Sequence, residues 1–408
     1  MNAVTESIIE SNLGRDPERL RMKFAALRTD PFAFFRGTAP LFYETLSLDR
    51  RLLSAPLVLA CGDLHLENFA SYKADNRLVY FDISDFDESC VAPLSLDVVR
   101  FLTSVLVAAG PLKIRHEHAM KLLGVFLEAY AANIATGKPR WVERSVATGP
   151  VKSLLQGLKR RRRRDLILQR TVRKSGKIRL KVDGKKTLAL TAEDRSRAES
   201  ILARFAARHE KPAFFAPIDI ARRIAGTGSL GLERYVALVR GDGNADGRYL
   251  IDIKVAAPSA LARHVGAGQP EWKNAVRAAT IQRISQAIPP ALLGTVEVGQ
   301  HTYLIRELQP TADRIDLHAL LNSPGGKSAG RKEFADVIQT MAAVTAWAHL
   351  RTCGRHGAAS MDELVGFASR KGWQSRVMEC AGRASVLTLK QWREFSADYD
   401  ANPAEFEG

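Results

Sequence analysis

Two polar clusters, each joined to a short apolar run, limit what this chain can become. GDLHLENF (Gly62–Phe69) follows PLVLAC (Pro56–Cys61), and FDISDFDE (Phe81–Glu88) continues LVY (Leu78–Tyr80). Short apolar runs bounded by turn residues read as buried strands. The loop after the first strand then carries Asp63, His65 and Asn68, and the end of the second carries Asp82, Asp85 and Asp87. If Phe81–Ile83 ends a strand, Asp82 points opposite to its apolar neighbours, out into a cleft. Hard oxygen donors of this kind suit Mg2+, which keeps waters and is held by one or two carboxylates plus substrate phosphates. Asp82 and Asp85 are the candidate metal ligands, and Asn68 supplies a further oxygen. Asp63 is placed to accept a proton from a hydroxyl nucleophile. His65 is expected to hold the same loop through a hydrogen bond to an aspartate. The competing reading is that single acids cap helices or pair with arginines. Their clustering between apolar strands weighs against it.

Composition sets the wider bounds. The chain has 408 residues, 46% of them hydrophobic, enough for a real core in one large domain or a few smaller ones. Its most apolar stretch, Val98–Gly110, is interrupted by Arg100 and reads as a buried helix, so no membrane span is expected. The first residues lack the basic and apolar regions of a signal peptide. The four cysteines, Cys61, Cys90, Cys353 and Cys380, are scattered. Neither a disulfide framework nor a zinc site is expected, and a cytoplasmic location is the simplest. The net charge of +16 points to a polyanionic partner. Much of it lies in Leu158–Lys186, read either as a solvated segment or as a phosphate-tracking surface. Aromatic residues are absent from that run, which argues against base stacking.

Along the chain, helices are expected at the start, then the two strands, then two long helices over Pro93–Gly110 and Lys113–Gly137. The parts are expected at 1–150, a basic linker or insertion at 151–213, a β-rich unit at 214–310 and a helical segment at 311–408. Within the β-rich unit, Gly226-Thr-Gly-Ser-Leu-Gly231 is a GxGxxG pattern. A dinucleotide fold needs a strand before it and a helix after it, whereas the strand-like RYVALV follows here. That favours a glycine-rich hairpin over nucleotide phosphates, with Gly226, Gly228, Ser229 and Gly231 lining it. The next strand, YLIDIKVA, then offers Lys254 to the phosphates.

These motifs carry a resemblance. GDLHLEN resembles the catalytic loop of aminoglycoside and choline phosphotransferases, whose pattern reads HGDLHxxN. On that resemblance Asp63 is the catalytic base, Asn68 and Asp82 hold magnesium, and Lys254 anchors phosphate. A closer match, through FFRGTAPLFY, CGDLHLENF, FDISDFDE, LDVVR, GTGSLG, IKVAAPS and YLIREL, resembles an uncharacterised bacterial family, domain of unknown function 2252, grouped with kinase-like folds. The resemblance implies ATP and Mg2+ as cofactors, an unidentified hydroxyl-bearing substrate, and a hinge-like strand (Thr302–Leu308) whose Glu307 faces nucleotide. The order is inverted, because the catalytic loop precedes the glycine loop and lysine. The expected fold is therefore α+β, a protein-kinase-like two-lobed fold, circularly permuted, with additional helices. Departures from the pattern include Cys61 in place of histidine, no glycine after Asp82, Glu233 where kinases place valine, and no evident helix glutamate for Lys254. They keep open a nucleotide- or polyanion-binding scaffold without turnover. A metal-dependent phosphoesterase is a further alternative, for which GRHG (Gly354–Gly357) is a poor ligand motif.

Overall fold

The computed structural model describes residues 1–46, 50–158, 161–243, 247–266, 268–308, 313–322 and 326–406. It is a mixed α+β fold. The chain opens with α1 (Ala3–Glu10), α2 (Pro17–Thr29), α3 (Pro31–Gly37), α4 (Ala39–Thr45) and α5 (Arg50–Leu53). Asp-Pro starts both α2 and α3. The Asp16 and Asp30 carboxylates accept from backbone amides of the first turn, and proline needs no partner at N1.

Next come β1 (Leu57–Ala60), β2 (Phe69–Lys73), β3 (Val79–Ile83) and β4 (Cys90–Pro93), followed by α6 (Leu94–Ala108) and α7 (His116–Ala135). The two expected strands do not pair with each other. β1 pairs antiparallel with β4, and β2 with β3, so loops 61–68 and 84–89 both run between the two ribbons. Every residue of α6 is buried, including Asp97 and Arg100.

The basic stretch and its surroundings are folded as α8 (Gly149–Leu158), α9 (Arg163–Arg170), β5 (Thr171–Lys174), β6 (Lys177–Leu180), β7 (Thr187–Leu188) and α10 (Ala192–Ala206). β8 (Pro217–Arg223), β9 (Arg234–Val239), β10 (Tyr249–Val255), α11 (Asn274–Ser285), β11 (Gly294–Val298) and β12 (His301–Glu307) follow. These build an antiparallel sheet in the order β11-β12-β10-β9-β8-β7. Alternation along each strand gives the sheet two different faces. One packs Tyr235, Ile251, Ile253 and Ile305 against Ile201 and Phe205 of α10. The other packs Val236, Leu238, Leu250 and Leu308 against Ile167 of α9 and Leu180 of β6. It also carries the charged residues Arg234, Asp252 and Lys254.

The chain closes with α12 (Leu317–Leu321), α13 (Gly326–Thr352), α14 (Met361–Ala368) and α15 (Trp373–Ala401). One core joins β1, β4 and α6–α8 to α13–α15. No disulfide joins any of the four cysteines among the described residues. Among the described residues no helix is long and apolar enough to cross a membrane.

Candidate functional site

The loop after β1 is fixed from beneath. Asp97 on α6 accepts the backbone N–H of Cys61 (2.7 Å) and of Gly62 (2.9 Å). His349 of α13 donates Nε2–H to the same carboxylate (3.2 Å), and its Nδ1 accepts from the Tyr130 hydroxyl (2.7 Å). An ionised carboxylate only accepts, and this assigns the imidazole tautomer. Asp97 thus buttresses the loop. Gly62 adopts φ +82°, and a Cβ there would overlap the Glu88 carbonyl oxygen. Gly62→Ala therefore meets both left-handed strain and a backbone clash. It is expected to lower stability by about 3 kcal/mol or more, read by urea denaturation.

Asp63 follows. Arg100, alone among the apolar side chains of its helix turn, reaches Asp63 Oδ1 through Nε (2.9 Å) and Nη2 (2.8 Å). The guanidinium stacks over Phe35, 3.6 Å from the ring centre, and Nη2 also donates to the Phe35 carbonyl. Among the described residues Oδ2 has no partner, and Asp63 lines the cleft. Burial pushes the Asp63 carboxyl up to about 7, with Arg100 opposing and the Glu88 and Asp85 charges adding to it. His65 departs from expectation. Its Nδ1 accepts from the Glu67 amide (3.1 Å) instead of bonding an aspartate. Burial and then Arg36 push its pKa well below the ordinary value, so the ring is neutral. Asn68 is buried, and its Nδ2 donates to the Asp63 carbonyl (3.0 Å) and the Asp85 carbonyl (3.2 Å). It ties the two loops together.

The aspartate cluster corrects one expectation. Asp82 does not point into the cleft. It is 3% exposed, accepts from Ile83 N (2.8 Å) and Ala287 N (3.3 Å), and lies 4.0 Å from Arg351 of α13. The face of β3 opposite its apolar neighbours is covered by the segment after α11 and by α13. Asp85 is the residue exposed in the cleft, three positions on and followed by the buried Phe86. Burial acts to raise its pKa, but Lys254, Arg306, Arg234 and Arg314 outweigh it and hold the carboxylate below the usual range. Asp87 forms an ion pair with Lys254. The helix that follows Lys254, α11, contains neither Asp nor Glu.

The glycine-rich segment is the turn between β8 and β9, with Gly226 and Gly231 at φ +72° and +85°. Gly226, Gly228 and Ser229 line the same cleft as Asp63, Asn68, Asp85 and Lys254, a space of about 330 Å3. The turn is held by the N-terminal helices. Arg15 donates to the Gly228 (2.8 Å) and Leu230 (3.0 Å) carbonyls, Lys23 to Gly228 (3.1 Å), and Arg19 to Leu232 (2.8 Å). Gly231 lies outside the cleft lining, and its carbonyl accepts from Asp16 N (2.9 Å). Burial lowers the Arg15 guanidinium to about 10 and pushes the Lys23 ammonium well down.

Glu307 is not part of the cleft; it pairs with Arg163 (3.2 Å). Glu233 turns to the other face of the sheet, accepting from the Tyr235 and Tyr303 hydroxyls. Arg36 lines the cleft, paired with Glu67. Arg306 donates to the Ser84 carbonyl (3.1 Å), beside Asp85. His356 packs on Trp272, away from the cleft.

Sequence reasoning passed over Arg100, Asp87, Arg15 and Lys23 as site residues. A lone arginine in an apolar helix was a signal for the first. The others depend on contacts made across the fold. Among the described residues no three His, Cys, Asp or Glu side chains form a ready-made metal cage. No curated protein and no solved structure matches the chain significantly. A family model described as uncharacterised proteins conserved in bacteria (DUF2252) matches residues 15–398, and the chain belongs to that family.

Proposed function

We propose that the chain is an ATP- and Mg2+-dependent phosphotransferase of permuted kinase-like build, acting on a hydroxyl acceptor. One observation carries the reading. Asp63, Asn68 and Asp85 line one cleft with the glycine turn and Lys254, which follow more than 100 residues later. The packing of α1 on α15, with Asn2 N bonded to Asp398 (2.7 Å), is in keeping with a permuted order.

The donor set suits magnesium. Asp85 is an exposed, ionised carboxylate without a hydrogen-bond partner for its side chain among the described residues, and one such ligand suffices when phosphates supply the rest. Asp85 would hold the ion, with Asn68 beside it, and a bound ion would neutralise phosphate charge. Asp82 is committed elsewhere and is dropped from the ligand set. Lys254, poised by Asp87, would anchor a phosphate, and the Gly226–Ser229 turn would cover it. Asp63 Oδ2 would take the proton of the attacking hydroxyl, with a carboxyl poised near neutrality for the task. Because the transition state is loose, positioning and charge carry most of the rate.

A second reading, a nucleotide or polyanion holder without turnover, is favoured by the clamp of Arg15, Arg19 and Lys23 on the glycine turn. Incubation with γ-labelled ATP and Mg2+ separates the two. Release or transfer of label by the wild type, absent from Asp85→Asn, is expected. Stoichiometric ATP binding with no label moved would favour the holder.

A further inference from the structure

The basic stretch builds a cavity that the cleft chemistry does not use. It is a small cavity of about 70 Å3 between the end of α9, β6, the turn after it, and the sheet face under β7–β9. Its floor is apolar, made of Leu180, Val236 and Leu308, all buried. Its walls carry Arg170, Lys181, Lys186 and Arg223.

The backbone holds these cations together. Lys181 N donates to the Arg170 carbonyl (2.9 Å), Thr187 pairs with Arg223 across β7–β8, and Ile224 N donates to the Lys186 carbonyl (2.9 Å). The one acid in the lining, Asp183, is already used by its own turn. Its Oδ1 accepts the amides of Lys185 (2.9 Å), Lys186 (2.6 Å) and Thr187 (3.2 Å). Neighbouring cations of the same stretch do have partners: Arg161 has Asp313, Arg163 has Glu307, and Arg179 has Asp219. Among the described residues, Arg170, Lys181 and Lys186 form no ion pair. Burial lowers the Arg170 and Arg223 guanidinium pKa values; Asp183 opposes it at Arg170, and at Arg223 the Arg234 charge adds to it while the ion-pair partner Asp252 opposes.

We infer that this cavity is a second anion-binding site, separate from the cleft, taking a small phosphorylated molecule whose apolar body rests on Leu180, Val236 and Leu308. Cations converging on a space whose one lining carboxylate is already bonded to its own turn attract phosphate through charge-assisted hydrogen bonds. An apolar floor beside a few polar groups is the usual make-up of a small-molecule site. The inference stands whether or not the cleft transfers phosphate.

The test is binding of phenyl phosphate, inorganic phosphate and phenol to the full chain by calorimetry. Three proteins are compared: wild type, the double variant Arg170→Glu/Lys181→Glu, and Lys254→Ala. Neither Arg170 nor Lys181 makes an ion pair, so the double variant should fold, which its melting in buffer verifies. Saturable phenyl phosphate binding is expected, weakened at least about tenfold in the double variant and retained in Lys254→Ala. Equal affinity for inorganic phosphate would keep the anion site and overturn the apolar-body part. Equal binding of phenol, no saturable binding, or loss only in Lys254→Ala would overturn the site itself.

Discussion

If the cleft transfers phosphate as proposed, Asp63→Asn should lower that transfer by about a thousandfold and leave ATP binding nearly intact. The amide keeps an oxygen for Arg100 at the Oδ1 position, so the loop should hold its shape. What it loses is the proton acceptor at Oδ2. The wild-type rate should rise with pH through about 7, where burial has placed the Asp63 carboxyl, and then level off. Arg100 is the main force holding that value down, so Arg100→Gln should move the midpoint to higher pH. Stability runs the other way. A carboxyl whose folded pKa is raised favours the folded state below its unfolded value of 3.8, and that contribution is lost as pH rises towards about 7. Above pH 7 the neutral asparagine variant should therefore melt higher than wild type, while being far less active. A rate profile flat across neutrality, or an unchanged rate in Asp63→Asn, would remove Asp63 from the chemistry.

Asp97→Ala has the largest expected effect on the fold, about 4 kcal/mol by urea denaturation. The side chain is fully buried and satisfies the amides of Cys61 and Gly62 as well as His349 Nε2–H. Alanine leaves these donors without partners in a site closed to water, at about 1–3 kcal/mol for each buried group. Asp97→Asn keeps one acceptor oxygen and should cost less. Because the orphaned amides belong to the loop that carries Asp63, activity should fall even where the variant is still folded. A loss under about 1 kcal/mol would mean that the loop is held by other contacts.

Much of this architecture is legible in the sequence because it is local. Asp16-Pro17 and its acidic first turn announce the start of α2, apolar runs mark β1 and β3, and the strand after Gly231 distinguishes a hairpin from a strand–turn–helix. What escaped depends on elements far apart in the chain. The sequence shows that Asp82 alternates with buried neighbours, but only the packing of α13 and Ala287 shows that its side of β3 is also covered. Asp85, just past the strand end, is the aspartate exposed in the cleft. Lys254 was sought a partner on the following helix, whereas Asp87 comes from the opposite side of the cleft. In the basic stretch, the dense charge hid a hairpin whose signs were present. Ser175-Gly176 marks the turn, and Ile178 and Leu180 alternate with cations, so that Leu180 reaches the sheet.

The most direct measurement is the thermal shift of the purified chain with ATP, with and without Mg2+, in wild type, Asp85→Asn, Asp82→Asn and Lys254→Ala. A ligand at about 100 times its dissociation constant stabilises the folded state by about 2.7 kcal/mol. Wild type and Asp82→Asn are expected to shift fully only with both ATP and metal. Asp85→Asn should lose the metal-dependent part, and Lys254→Ala most of the shift. No shift at saturating ATP in any of the four, or loss of the metal dependence in Asp82→Asn but not in Asp85→Asn, would contradict the assignment of this cleft.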